Sequence, residues 1–155
     1  MTRSERWTLA VALVDQSTLA SFVRPGCEAI ESRHRGMIED SERERIADSL
    51  DLDSATRAEF PNENRWDYLV SVADAKVLVA VEPHTARDSE IEVVIRKKSH
   101  AVRYLSRHIR QGHRVGRWIW VSSRSRFSRM EKARRRLDQA GIKFAGRLIR
   151  SLTED

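Results

Sequence analysis

The strongest patterning in this chain lies between residues 65 and 84. Two apolar runs, 68–73 and 77–81, flank the polar triplet DAK at 74–76. Short runs rich in valine, divided by a few turn-forming residues, predict an antiparallel hairpin. Pro83 ends the second strand, because it has no amide hydrogen to give to a ladder. Beyond it the period changes. Ile91, Val94, Ile95, Val102, Leu105 and Ile109 recur at helical spacing. Ser89 and Glu92 are spaced as a capping box requires, and Gly112 gives a stop signal. A long helix is therefore expected from Asp88 or Ser89 towards Gly112. "VGRWIWV" at 115–121 predicts another strand, whose Trp118 and Trp120 share one face and pack into the core. A basic helix over 128–140, ended by Gly141, and a strand in "IKFAGRLI" at 142–149 complete the pattern.

The first third is less sharply written. Residues 6–14 suit either a strand or the start of a helix running to Val23, and periodicity does not decide between them. "RPGC" at 24–27 is a break. Residues 28–37 and 41–50 predict helices, the second with Ser41 as N-cap and Glu44 as its capping-box partner. "DLDSATRAEFPNEN" at 51–64 predicts a loop, or a short helix followed by a loop. From residue 28 onward, helices alternate with strands. That order implies an α/β fold, a central mixed sheet flanked by helices. At 155 residues the chain suits a single domain. Residues 1–27 form its N-terminal element, and 28–150 its α/β core.

Charge changes the picture next. The net charge is +6, but its distribution is uneven. Residues 96–150 carry 18 Lys or Arg against two acids, Glu131 and Asp138, whereas residues 1–95 carry 11 basic and 19 acidic residues. Such asymmetry points to a surface that meets a polyanion, nucleic acid above all. Arg124, Arg126, Arg129, Lys132, Arg135 and Arg136 in "SSRSRFSRMEKARRRL" are its candidate contacts, because serines, arginines and helix-start amides suit phosphate oxygens. The single cysteine, Cys27, excludes an internal disulfide. No run reaches the length of a membrane span. The N-terminal "MTRSERWTLAVALVD" only faintly matches a signal peptide, since Glu5 interrupts its basic part and Asp15 its apolar part. A cytoplasmic protein is expected. There is no Gly-rich phosphate loop, nucleophile elbow or zinc cysteine pair. His34, His100, His108 and His113 lack metal-ligand spacing.

The hairpin carries the candidate chemistry. "WDYLV" places Asp67 at the mouth of its first strand and "VAVEPH" places Glu82 at the end of its second, with 14 residues between them. An acid before one strand, then a strand ending in acid–x–Lys, then a helix and a strand, resembles the PD-(D/E)XK nuclease superfamily. The resemblance covers roughly residues 28–123 and implies a restriction endonuclease-like core. It implies that Asp67 and Glu82 hold Mg²⁺ or Mn²⁺ and that a lysine assists the attacking water. Magnesium held by one or two carboxylates suits phosphodiester hydrolysis. The chain departs from the motif at its third position, which is His84. Histidine can donate a hydrogen bond or act as a base, but gives no fixed positive charge.

A substitute lysine is expected at Lys98. It continues the stripe 91, 95, 102, 105, 109 on the long helix, and some members of the superfamily carry the lysine there. Lys97 points elsewhere on this count. The function expected is a divalent-metal-dependent nuclease acting on nucleic acid, DNA before RNA, with Asp67, Glu82, His84 and Lys98 at its site. The alternatives are an inactive nuclease-fold module that only binds nucleic acid, favoured by the missing lysine, and an accessory subunit with an acidic protein partner. A homodimer or a larger assembly would suit so small a chain.

Overall fold

The computed structural model describes residues 6–155. Its elements in chain order are α1 (Leu9–Ala12), β1 (Arg24–Pro25), α2 (Ser32–Arg35), α3 (Asp40–Arg43), β2 (Ile46–Asp51) and α4 (Leu52–Thr56). There follow β3 (Tyr68–Val72), β4 (Val77–Pro83), β5 (Ala86–Arg87), α5 (Ile91–Leu105), β6 (Val115–Val121), β7 (Ser125–Arg126), α6 (Met130–Gln139) and β8 (Ile142–Phe144). Six strands form one mixed sheet in the order β1-β2-β3-β4-β6-β8. Neighbours from β1 to β4 run antiparallel, and β4, β6 and β8 run parallel. The fold is α/β with a six-stranded mixed sheet flanked by helices, as the alternating pattern predicts.

The predicted hairpin forms as read. Tyr68 pairs with Val81 and Val72 with Val77, and Lys76 takes a left-handed φ of 50° to close the turn. Two crossovers, β4–α5–β6 and β6–α6–β8, step along the sheet in the same direction. Both helices therefore cover the same face. Leu69, Leu78, Ala80, Trp118 and Trp120 of the sheet pack there with Val94, Ala101 and Leu105 of α5 and Leu137 of α6. On the opposite face Val70, Val79, Val81, Ile119 and Val121 meet Ile30, Ile38, Ile149 and Leu152, which come from irregular segments. Trp118 and Trp120 are buried, as their shared face predicts.

Four predicted elements differ. The helix over 41–50 is instead the single turn α3 followed by the strand β2. The alternation of β2 is disguised because two of its buried residues, Asp48 and Ser49, are polar. Each is buried with its hydrogen bonds made. Asp48 accepts the Leu9 and Ala10 amides at 2.7 and 3.1 Å and the Ser71 hydroxyl at 2.5 Å, and Ser49 accepts the Ala29 amide at 3.1 Å. The same bonds settle the N-terminal ambiguity, because Asp48 holds the start of the short helix α1. The helix over 28–37 shrinks to α2. The last strand stops at Phe144, and Gly146 with φ of 75° turns the chain away, leaving Ile149 in an isolated bridge to Ile38. The long helix ends at Leu105, and residues 88–90 form a 3₁₀ turn in which Ser89 makes no cap. Among the described residues no helix is long and apolar enough to cross a membrane.

Candidate active site and the adjoining basic cleft

Antiparallel register brings the two hairpin acids together. Extending the Tyr68–Val81 pairing by one residue sets Asp67 opposite Glu82, and directly opposed residues share a face of the sheet. That face is the one covered by α5. The Asp67 amide donates to Glu82 Oε1 at 2.9 Å, while its carbonyl accepts the Leu52 and Asp53 amides at 2.8 and 3.3 Å. Asp67 is thus pinned at the strand mouth from both sides. Glu82 pairs with Trp120 in β6, and its side chain is wholly buried.

The lysine that reaches the two acids is Lys97, not Lys98 as the helical stripe predicts. Lys97 Nζ donates to Glu82 Oε2 at 2.5 Å from a half-buried position. The buried stripe of α5 runs through Val94, Ala101 and Tyr104. Position 97 lies three after the first and four before the second, in the middle of that stripe. The stripe read from the sequence was rotated because it included Val102, which is 46% exposed. Lys98 turns to the side instead. Its Nζ donates to the Ala140 carbonyl at 2.5 Å and lies 5.7 Å from the centre of the Trp118 ring. There it neutralises the negative end of α6 and ties α5 to it.

Two carboxyls facing one ammonium leave the site short of positive charge. Burial pushes Asp67 up to about 6, against the pull of Lys97. Burial, and then the facing Asp67 carboxyl, push Glu82 up to about 8, again against Lys97. Lys97 itself is raised above its usual value: burial opposes its charge, but Glu82 and Asp67 favour it more. Burial thus favours the protonated form of both carboxyls, and Lys97 opposes it. A divalent cation would compete with a proton for them.

His84 lies one residue beyond Pro83, at the end of β4. Its amide donates to the Val121 carbonyl at 3.1 Å and its carbonyl accepts from Trp120 Nε1 at 2.9 Å, so the backbone is fixed to β6. The ring stands between two acids, with Nδ1 3.5 Å from Glu82 Oε2 and Nε2 3.6 Å from Glu90 Oε2. Neither contact is a full hydrogen bond, and Nε2 is buried without a partner. Burial and the Lys97 ammonium lower its pKa, which keeps the imidazole neutral at pH 7. Glu90 is a neighbour that the sequence patterns do not single out. It comes close only because the 3₁₀ turn at residues 88–90 brings it back over the end of β4.

The residues fit a small magnesium site better than an all-protein cage. Among the described residues no three His, Cys, Asp or Glu side chains converge as metal ligands. Mg²⁺, however, needs only one or two carboxylates, and keeps waters and substrate phosphates as its other ligands. The Asp67 carboxylate accepts no hydrogen bond among the described residues, so its lone pairs face no competing donor. Asp67 would hold the ion, and Glu82 would join it only by giving up its bond to Lys97 or to the Asp67 amide.

Beside this site the structure opens a cleft of about 900 Å³, lined by Pro83, His84, Arg33, Arg87, Arg124 and Arg126 among others. The basic tract is therefore divided. Arg124 and Arg126 reach the cleft. Arg129, Lys132 and Arg135 are exposed around the start and outer face of α6. Arg136 lies on the α5 side, bound through two bonds to Glu92 at 2.9 and 3.1 Å. An arginine already held by a carboxylate is poorly placed to meet phosphate. Arg33 and Arg87 join the cleft from the half of the chain with net negative charge, which is why charge counting does not find them.

Family models, curated proteins and solved structures give no match to this chain. The site has to be read from its own geometry.

Proposed function

We propose that this protein is a divalent-metal-dependent nuclease that cleaves nucleic acid, DNA before RNA, through Asp67, Glu82 and Lys97. The observation that carries this is the Lys97 ammonium on Glu82 beside Asp67. It restores, from the following helix, the lysine that "EPH" lacks. A fully buried acid, a second acid directly across the ladder and a half-buried lysine are costly to place together. Such clusters mark sites where charge is put to chemical use.

Asp67 and Glu82 would bind Mg²⁺ or Mn²⁺, which supplies positive charge to the phosphoryl oxygens and acidifies a bound water. Lys97 fixes the Glu82 carboxylate and contributes a second positive charge where the phosphorane becomes negative. His84, neutral and at the edge of the cleft, can accept a proton from the attacking water. Water oxygen bonds to phosphorus as its proton passes to His84, the bond to the leaving sugar oxygen breaks, and that oxygen takes up a proton from solvent.

The test is cleavage of duplex, single-stranded, branched and RNA substrates by purified protein with Mg²⁺ or Mn²⁺, and its loss with a chelator. Glu82→Ala should abolish cleavage and leave binding nearly intact. His84→Lys restores the tripeptide of the superfamily. With Lys97 already in place, it should add little or lower activity by crowding a second cation against the first. One observation favours a second assignment, a nuclease-fold module that binds without cutting. Both oxygens of Glu82 are already engaged and its side chain has no exposure. Tight binding with no metal-dependent cleavage of any substrate would decide for it.

A further inference from the structure

After Pro83 and Val121 the parallel strands β4 and β6 continue into a second, two-stranded parallel sheet, β5 with β7. In it Arg87 pairs with Arg126. Paired residues on neighbouring strands stand about 4.8 Å apart and point the same way. Like charges in that position repel. Both side chains are exposed and line the cleft, joined there by Arg33 and Arg124. Among the described residues, neither Arg87 nor Arg126 has a carboxylate within ion-pair distance, and no Asp or Glu lines the cleft. Elsewhere the arginines of this chain commonly take acids: Arg45 with Glu42 and Asp74, Arg65 with Asp53, Arg136 with Glu92. This cross-strand pair stands without one.

We infer that Arg87 and Arg126 form a clamp for the phosphate backbone of a nucleic-acid duplex, beside the Asp67–Glu82–Lys97 site. The inference rests on the nucleic-acid part of the proposed function and not on cleavage. Two guanidinium groups side by side match the oxygens of a phosphodiester. Arg124 extends the positive lining, so more than one phosphate can lie along the cleft, whereas Arg33 is already paired with Glu31 at 2.8 Å. Among the described residues no Phe, Tyr or Trp lines the cleft. Single-strand binders use such rings as stacking platforms, and a base-reading surface needs groups that reach base edges. A cleft lined by arginines, serines and two histidines, His34 and His84, with no larger aromatic side chain among the described residues, suits the backbone of a duplex, read by charge and spacing. The position also serves the chemistry, because β4 leads through His84 directly from Glu82 to Arg87.

The experiment measures binding of a fluorescent duplex of about 20 base pairs across a salt series, in EDTA so that cleavage plays no part. Each lost phosphate contact lowers the slope of log K against log salt by about one. Arg87→Ala/Arg126→Ala should lower it by about two, and weaken binding at least tenfold at low salt. Arg103→Ala/Arg107→Ala removes the same charge from exposed positions on and just after α5, and should leave the slope near that of wild type. Duplexes of scrambled sequence should bind within a few-fold of one another, and a single strand of equal length more weakly. An unchanged slope in the clamp variant would overturn the inference and turn attention to an acidic protein partner. Equal losses in both double variants would also overturn it, as would tighter binding of the single strand. Intact clamp behaviour in a protein that cuts nothing would sink the nuclease assignment and leave the clamp standing.

Discussion

Lys97→Met separates the role assigned to Lys97 from that of its neighbour. The substitution keeps most of the stem and deletes the ammonium that meets Glu82 at 2.5 Å. Breaking a buried ion pair by removing one partner costs about 3–5 kcal/mol, because the other charge stays buried. Glu82 has a way out, since it can take up a proton. Its carboxyl is already pushed up to about 8 by burial and Asp67, so at pH 6 it is neutral at little further cost. The loss there should shrink to that of one charge-assisted hydrogen bond, about 1.5–3 kcal/mol. At pH 9 the wild-type pair is ionised, and the variant must protonate Glu82 against the solution or bury it unpaired. The full 3–5 kcal/mol should then appear. Lys98→Met loses one bond to the end of α6 and its charge there, about 1 kcal/mol at either pH. Urea unfolding at the two pH values gives these numbers, provided the slope m is unchanged. A Lys97→Met loss that ignores pH, or one smaller than that of Lys98→Met, would refute the assignment of the lysine.

Further expectations follow from single contacts. Because the folded state raises Glu82 from 4.5 to about 8, it holds a proton there that the unfolded chain has released, so this group makes stability fall as pH rises through that window. Glu82→Gln should flatten that decline in thermal melts between pH 5 and 8, and an unchanged profile would count against it. Arg136→Ala should cost no more than about 1 kcal/mol and leave nucleic-acid affinity nearly unchanged, because Glu92 already holds the side chain; a tenfold loss in a binding assay would contradict this. Asp48→Ala should cost about 2–4 kcal/mol in chemical unfolding by stranding the buried Leu9 amide and the Ser71 hydroxyl, and a loss under 1 kcal/mol would mean that α1 is anchored by something else. Trp66→Phe should cost less than a core tryptophan usually does, because the buried indole nitrogen has no hydrogen bond to lose.

The fold was legible where burial and hydrophobicity coincide. Residues of β3, β4 and β6 are largely apolar on both faces, because layers cover both sides of the sheet, and β4 ends at Pro83, which has no amide hydrogen to give. The sequence misleads where buried positions are polar. In β2, Asp48 and Ser49 are as buried as Leu50, but their partners lie 39 and 20 residues away, and no local pattern can announce a hydrogen bond over that span. The charged residues around β2 then imitate the surface of a helix. The segments over 28–38 and 145–152 fail for a related reason. They cover one face of the sheet with isolated apolar residues such as Ile30, Ile38 and Ile149, and a cover made of turns has no period to detect.

The acids of the site were legible and its lysine was not, and the difference is one of geometry. Asp67 and Glu82 are placed by hairpin register, which has a period of two and a turn of fixed length, so their facing positions can be counted from the sequence. Lys97 is placed by the rotation of a helix, and a step of one residue turns the side chain through about 100°. Counting Val102 as buried is enough to exchange Lys97 for Lys98. The structure also gives the exchange a physical sense. Lys98 could not serve Glu82 while its ammonium holds the Ala140 carbonyl, and Lys97 could not hold α6 while it compensates two buried carboxyls. Adjacent lysines divide the work: one fastens the helix α5 to α6, and the other uses that fixed helix to present a charge at the hairpin. A proposal that Lys97 acts in catalysis therefore carries a condition that Lys98 alone can test. Loosening α5 through Lys98 should lower activity by misplacing Lys97, and do so without altering which groups titrate.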